Sequence, residues 1–232
     1  MQTSLCDLFA CNVFVPVTLI PSLACIFTFF ATCLGFDLVA WLWPKLRIQN
    51  VSESDAKIRE MIHLSIRNLF AGLGVVVLLH PLTATIMYTG PFTWLYQSGV
   101  FIVMMLLADG NFYWSHRLLH HPLFYARCHK LHHSCKHPVP WTSLYVDVGE
   151  FVIAIMSSFL LPLWMVGALG LSTHYLTYSA YLIFLTFSLV MSHDGMNIPF
   201  LDATHHDEHH LRFTGNYGTK SMMWDRLMGT VI

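Results

Sequence analysis

The chain has 232 residues, of which 55% are hydrophobic and only 11% charged, with a formal net charge of -1 and a mean hydropathy of +0.55. Soluble domains carry about 25% charged residues, so an ordinary water-facing surface is excluded and an integral membrane protein is expected. The balanced charge also argues against a general nucleic-acid binder, which needs a basic face.

In chain order, a first apolar run covers about 13–43, interrupted only by Asp37. It exceeds the ~20 residues a bilayer requires, and Pro16 and Pro21 are expected to bend its start. No Lys or Arg precedes Trp43, so the basic region of a secretory signal is missing and the run reads as a retained membrane helix. A polar linker at 44–61 carries Lys45, Arg47, Lys57 and Arg59. A second run at 68–88 is broken by His80-Pro81, and the turn Thr89-Gly90-Pro91 leads to a third at 92–108. This third run opens into YWSHRLLHHPLFYARCHKLHHSCKH, residues 113–137. Fourth and fifth runs at 148–171 and 175–191 lead to SHDGMN and HHDEHH, and the tail from Leu211 is polar. No internal repeat or low-complexity segment is present. The expected fold is all-α, with about four or five transmembrane helices under a cytosolic helical cap that holds a histidine-rich di-metal site. The expected division is 1–112, membrane helices with the linker, and 113–232, a catalytic region with two further membrane helices.

Counting crossings puts both histidine stretches and the 44–61 linker on one side of the membrane. All twelve Lys and Arg then share that side, apart from Arg67 at a helix boundary, and the positive-inside rule makes it cytosolic. Asn50-Val51-Ser52 matches a glycosylation acceptor but falls on the cytosolic side, so it reads as a chance match. The six cysteines (Cys6, Cys11, Cys25, Cys33, Cys128 and Cys135) form no CxxC pair and read as free thiols packing as small hydrophobes.

Spacing makes the histidines informative. His116 and His120 are i, i+4; His129, His132 and His133 are i, i+3, i+4; His206, His209 and His210 repeat that pattern. On helices each set shares one face, and imidazole clustered this densely points to metal. Eight or nine imidazoles are too many for one four-ligand zinc ion and suit two metals, each with an open position. Nitrogen-rich sites accept iron and zinc alike; a membrane setting favours iron and oxygen chemistry on lipids. The absence of HExxH argues against a zinc protease.

HRLLH, HKLHH, HDGMN and HHDEHH, followed by GNYG and WDRLMGT, resemble the fatty acid hydroxylase/sterol desaturase superfamily, most closely its sterol branch. The resemblance covers about Asp109 to Thr230. It implies a non-haem di-iron oxidoreductase that uses O2 to hydroxylate, oxidise or desaturate a lipid C–H bond, a sterol favoured over a fatty acyl chain. Carried over residue by residue, the metal ligands are His116, His120, His129, His132, His133, His193, His206, His209 and His210. Fatty acid 2-hydroxylases have a second histidine where Asn197 stands here; Asn197 acting through water, or His205, is a candidate for that vacancy. His121 and His137 stay undecided. Each ligating ring needs its other nitrogen held, and Asp109 and Asp207 are the carboxylates expected to do so. Asp147 and Glu150 either border the site or cap a helix, and Asp194, Asp202 and Glu208 read as loop charge. GNYG reads as a turn first and a site-supporting loop second. Tyr113, Trp114, Trp141, Tyr145 and Trp224 are expected in the interfacial belt, and His63, His80 and His174 as structural.

With no cytochrome b5 haem motif or dinucleotide fingerprint in the sequence, electrons must come from a separate donor, which in the family is cytochrome b5 or another NAD(P)H-fed chain. The endoplasmic reticulum suits a eukaryotic member. Two other classes combine membrane helices with imidazoles: a histidine-rich metal transporter and a haem electron carrier. The first needs polar ligands near the bilayer midplane, of which these spans offer almost none, and the second needs paired histidines inside the spans, whereas the clusters here lie beyond them; both stay as alternatives.

Overall fold

The computed structural model describes residues 11–49, 51, 53–199 and 201–232. Cys6, Asn50 and Ser52 lie outside them, as do the side chains of Cys11 and Asp202. Four helical stretches are long and apolar enough to cross a membrane: Val15–Leu42, Asp55–Leu78, Trp94–Leu119 and Val148–Ala168. A fifth apolar helix, Tyr175–Met191, has 17 residues and rises roughly 26 Å. These helices make the chain a multi-pass membrane protein. They also move several sequence-based boundaries.

Helix α1 (Ile20–Leu42) is preceded by a π-helical turn, Val15–Leu19. Pro21 has no N–H to give the carbonyl four residues back, so the ladder shifts there, and Ile20 N–H bonds Val15 O instead. Pro44 ends the helix. Helix α2 (Asp55–Leu78) begins 13 residues before the apolar run at 68. Ser54 Oγ accepts from Lys57 N–H and caps a segment of good helix formers, so the second half of the expected linker is helix. It ends ahead of His80-Pro81, and the chain from 79 to 88 is one short helical turn (His80–Thr83), further turns and a short strand rather than a membrane run. Helix α3 (Trp94–Leu119) continues past the expected end at 108 and carries Asp109 and His116 itself.

Helix α4 (Ser157–Ala168) follows a first turn at Val148–Glu150 and a π-helical segment at Phe151–Met156. Pro162 inside it cannot donate to Ser158 O; the Tyr181 hydroxyl of helix α5 (Tyr175–Met191) donates there instead. Helix α5 packs along α1, and α3 packs along α4. At one end of the bundle, strands β1 (Met87–Tyr88) and β2 (Thr173–His174) pair in parallel. His80 Nδ1 meets Thr18 Oγ1 at 2.7 Å there, and His174 Nε2 donates to Gly90 O, structural roles as expected.

At the other end the chain between α3 and α4 folds over the helix ends. Ser65 of α2 donates to Trp141 O at 2.7 Å, and Asn68 donates to Leu144 O and Val146 O. Trp141 Nε1 donates to Asp37 of α1. These bonds pull Trp141 and Tyr145 into the core, and Tyr113 is fully buried against the C-terminal segment. Three of the five aromatics expected in the interfacial belt are therefore core residues; Trp114 remains exposed. Strands β3 (Asn197–Ile198) and β4 (Leu201–Asp202) form a hairpin beyond α5, and helices α6 (Thr204–Arg212) and α7 (Met223–Met228) complete this end.

Candidate metal centre

Five elements deliver histidines to one buried place. His116 lies in the last turn of α3 and His120 caps it. His129 ends a π-helical turn at Tyr125–His129, and His132 and His133 open a 3-10 turn. His193 follows the end of α5, and α6 supplies His206, His209 and His210. The nine rings fall into two groups: His116, His120, His129, His133 and His209 in one, His132, His193, His206 and His210 in the other. Within each group one nitrogen per ring lies within 4.8 Å of every other.

This division differs from the single helical faces expected from spacing. Each HxxHH repeat splits. His129 and His133 join the first group and His132 the second; His206 and His210 join the second and His209 the first. On a helix, positions i+3 and i+4 point about 100° apart. A repeat wedged between two centres therefore gives its i, i+4 pair to one and its i+3 ring to the other.

Ring orientation comes largely from backbone carbonyls. His116 Nδ1 donates to Tyr217 O at 2.6 Å and His209 Nδ1 to Gly215 O at 2.7 Å. His193 Nδ1 donates to Leu189 O at 2.8 Å and His210 Nδ1 to Cys135 O at 2.9 Å. A carbonyl only accepts, so these four neutral rings carry their proton on Nδ1 and present an Nε2 lone pair to the group. Yet His116 Nε2 and His209 Nε2 lie 3.2 Å apart, lone pair against lone pair. The other spacings are similar: 3.0 Å for His116–His129 and His129–His133, 3.1 Å for His120–His133 and His120–His209. In the second group His193–His206 is 3.0 Å and His193–His132 is 3.3 Å.

Protons do not relieve this crowding. Burial, with mutual repulsion added, holds His129, His132, His133, His206, His209 and His210 well below the ordinary histidine value, and burial takes His193 to about 4. A cation does relieve it. Two nitrogens bound to one metal at roughly 2.1 Å sit about 3 Å apart when adjacent. The donor set and its spacing fit a metal ion in each group, and the buried His210 Nε2, which makes no hydrogen bond among the described residues, points the same way.

The remaining candidates lie outside both groups. Glu150 Oε2 accepts from His129 Nδ1 at 2.7 Å and is 4% exposed, so it borders the site, while Asp147 caps the helix start through Gly149 and Glu150 N–H. A lone acid inside the apolar run VGEFVIAIM was the sequence signal for that role. Asp109 accepts from Ser221 Oγ instead of a ring; seven residues before His116 is the same face but about 10 Å away along the axis. Asp207 accepts from Gln49, which also contacts His137 Nδ1, and so ties the segment after α1 to α6. His121 caps the turn at Pro122 through Leu123 N–H. Asn197 is exposed in β3, and His205 faces a surface cavity beside Lys220 and Met223.

Sequence reasoning missed Asp225. It is fully buried and accepts from Tyr217 N–H, Gly218 N–H and the Thr230 hydroxyl, each at 2.8 Å. It thereby braces the GNYG loop, where Gly215 and Asn216 take positive φ, and that loop supplies the carbonyls for His116 and His209. No thiol belongs to either group; the buried Cys135 thiol is pushed up to about 12 by burial, and among the described residues Cys25, Cys33, Cys128 and Cys135 are free.

Residues 101–230 match the family model described as fatty acid hydroxylase. The chain is 37% identical over 129 residues to fatty acid hydroxylase domain-containing protein 2 of Macaca fascicularis, covering 55% of this chain and 37% of that protein. It is 34% identical over 149 residues to a probable Delta(7)-sterol 5(6)-desaturase of Neurospora crassa, covering 61% and 40%. With a methylsterol monooxygenase of Aspergillus fumigatus it shares 30% over 171 residues, 68% and 56%. The match thus spans about two fifths to just over half the length of these curated relatives. No solved structure matches.

Proposed function

Because the chain belongs to the fatty acid hydroxylase family, with sterol desaturases and methylsterol monooxygenases among its relatives, we propose that it is an O2-dependent di-iron membrane oxygenase acting on a lipid C–H bond, with a sterol favoured. The observation that carries this reading is the pair of imidazole groups whose locked Nε2 lone pairs face one another. Two irons held there would supply the oxidant for inserting oxygen into the C–H bond.

The protein's own part is to hold and to exclude. Tyr217, Gly215, Leu189 and Cys135 carbonyls fix the tautomer of four rings, so their nitrogens need no reorganisation to receive a metal. Glu150 does the same for His129. Burial keeps water from the rings and keeps the rings neutral. All-imidazole ligation places no oxidisable thiolate next to the oxidant. Lipid reaches the site from the bilayer, electrons come from a separate donor of the cytochrome b5 type, and the metal end faces the cytosol, by the charge bias of the loops.

A haem carrier fits poorly, since ring nitrogens 3.0–3.3 Å apart leave no gap for a porphyrin. Purified protein is expected to carry two irons per chain with no haem absorbance. Cells expressing the wild type are expected to differ from cells expressing His132→Ala in their sterol or fatty-acid profile; identical profiles would reject the reading for those substrates.

A further inference from the structure

A hollow of about 650 Å³ opens on the surface at the metal end of the bundle, between the last residue of α5 and helix α7. Met191, Met223 and Leu227 form its apolar side, and Lys220 and Arg226 its charged side. No Asp or Glu lines it. Trp224 of α7 lies against α3 at Gly110, where an added Cβ would meet the ring at 3.0 Å, so α7 is held close to α3 with Arg226 and Leu227 turned outward. The same Trp224 meets the exposed Trp114 of α3 edge-on at 6.2 Å, an aromatic placed as those at a membrane–water interface are.

Neither cation has an acid of its own. Among the described residues Lys220 and Arg226 form no ion pair, and their side chains make no hydrogen bond. The acids packed at this end are already engaged: Asp109 accepts from Ser221 Oγ, and Asp225 from Tyr217, Gly218 and Thr230. Lys220 is half-buried, with its ammonium 4.9 Å from the centre of the Phe112 ring. Burial takes it down to about 8 in spite of the pull of Asp109. A cation drawn out of water is ordinarily paired, and an aromatic face compensates only in part. Beside these charges Leu227 is 68% exposed, apolar surface that favours an acyl chain over water.

We infer that this hollow binds an anionic phospholipid, its phosphate held between Lys220 Nζ and the Arg226 guanidinium and an acyl chain laid along Leu227 and Met191 towards α5. Phosphate takes charge-assisted hydrogen bonds from both cations and supplies the counter-charge that the chain does not. A zwitterionic headgroup carries its own ammonium and gains less. An acidic protein would meet the same cations but brings no acyl chain to the apolar side. The segment that carries Lys220 continues from the Gly215–Tyr217 loop behind His116 and His209, so the bound lipid ties that loop to the membrane surface. Neither cation belongs to the metal centre, so binding is expected alike in iron-loaded and iron-free protein.

The test is equilibrium binding of pyrene-labelled phosphatidylglycerol to the purified full chain in a neutral detergent, with pyrene-labelled phosphatidylcholine as the zwitterionic control. A cation at a membrane surface is worth about fivefold, so wild type is expected to prefer phosphatidylglycerol about 25-fold. Lys220→Gln and Arg226→Gln are each expected to lower that preference about fivefold, and the double variant to bring it to about 1, with phosphatidylcholine affinity unchanged. Arg226 is exposed, so its variant reports even where Lys220→Gln fails to fold. Lys45→Gln removes an exposed cation at the same end of the bundle but outside the hollow and is expected to change nothing. Excess inorganic phosphate is expected to displace no more probe than sodium chloride of equal ionic strength. No preference in wild type, a preference that survives the double variant, an equal loss in Lys45→Gln, or full displacement by inorganic phosphate would each overturn the inference. So would an unchanged lipid preference in Arg226→Gln together with slower reduction of the protein by an acidic soluble donor, which would assign the face to a protein partner.

Discussion

The two histidine groups differ in what stands behind the rings. In the five-ring group His129 leans on the Glu150 carboxyl group, His116 and His209 lean on carbonyls of one loop, Gly215 to Tyr217, which Asp225 braces, and His133 Nδ1 makes no hydrogen bond among the described residues. In the four-ring group His193 and His210 lean on carbonyls of separate segments, Leu189 and Cys135, and His132 Nδ1 and His206 Nδ1 make no hydrogen bond among the described residues. A carboxyl partner, ionised once a cation sits on its ring, raises the basicity of that ring more than a carbonyl does. On the proposed di-iron reading the first group therefore holds its ion more tightly, at the expense of depending on a buried acid and on one loop; the second holds its ion more loosely but by independent struts.

Five substitutions and a titration would break or sharpen that contrast. The largest effect is expected from the rings themselves: His209→Ala and His206→Ala should each lower iron from two per chain to about one, with turnover down at least 100-fold. If either variant lost both irons, the groups would not be separate centres. Next, Glu150→Gln should weaken metal binding 10–100-fold in the five-ring group alone, measured by chelator competition; equal weakening of both groups would erase the contrast. Asp225→Ala removes the acceptor of three buried hydrogen bonds and should cost about 3–5 kcal/mol, seen as a lower Tm, with iron lost first from the five-ring group.

The titration concerns metal-free protein. The buried rings titrate well below the ordinary value of 6.5, His193 at about 4, so the unfolded chain binds more protons than the folded one. Their contribution is fully present above about pH 6.5 and is lost as pH falls towards 4. Thermal unfolding of metal-depleted protein across that window should show Tm falling with pH; a flat profile would mean that the rings are not buried neutral. The smallest effect is expected from His121→Ala, which removes a turn cap worth at most about 1 kcal/mol and should leave the iron content at two per chain.

How far the site was readable varies by residue. The HxxxH and HxxHH spacings picked out eight of the nine rings that the fold gathers, because period alone puts i and i+4 together, and His193 came from the resemblance of its HDGMN segment. The split of each repeat was not readable, since it depends on which neighbours surround each ring: it occurs alike in the first repeat, on a π-helical turn at Tyr125–His129 and a 3-10 turn at His132–Ser134, and in the second, on the regular helix α6. Glu150 carried a signal, a solitary acid in an apolar run, but the same residue type at that place also caps helices, and the neighbouring Asp147 is the one that does. Asp109 shows the reverse: right face, wrong height. The start of α2 was misplaced because hydropathy marks where a helix becomes apolar, whereas Ser54 marks where it begins.

By itself, then, the sequence determined that this is a membrane protein, roughly where its apolar helices run, and which histidines are candidates for metal. Those are properties of composition and period, which each residue carries wherever it sits. Only the tertiary structure decided the division into five rings and four, the carbonyls that lock the tautomers and the brace at Asp225. Every residue has a carbonyl. Which of them meets a ring or faces a cavity depends on where the chain returns from about a hundred residues away, as Tyr217 does to His116, and no local pattern records that.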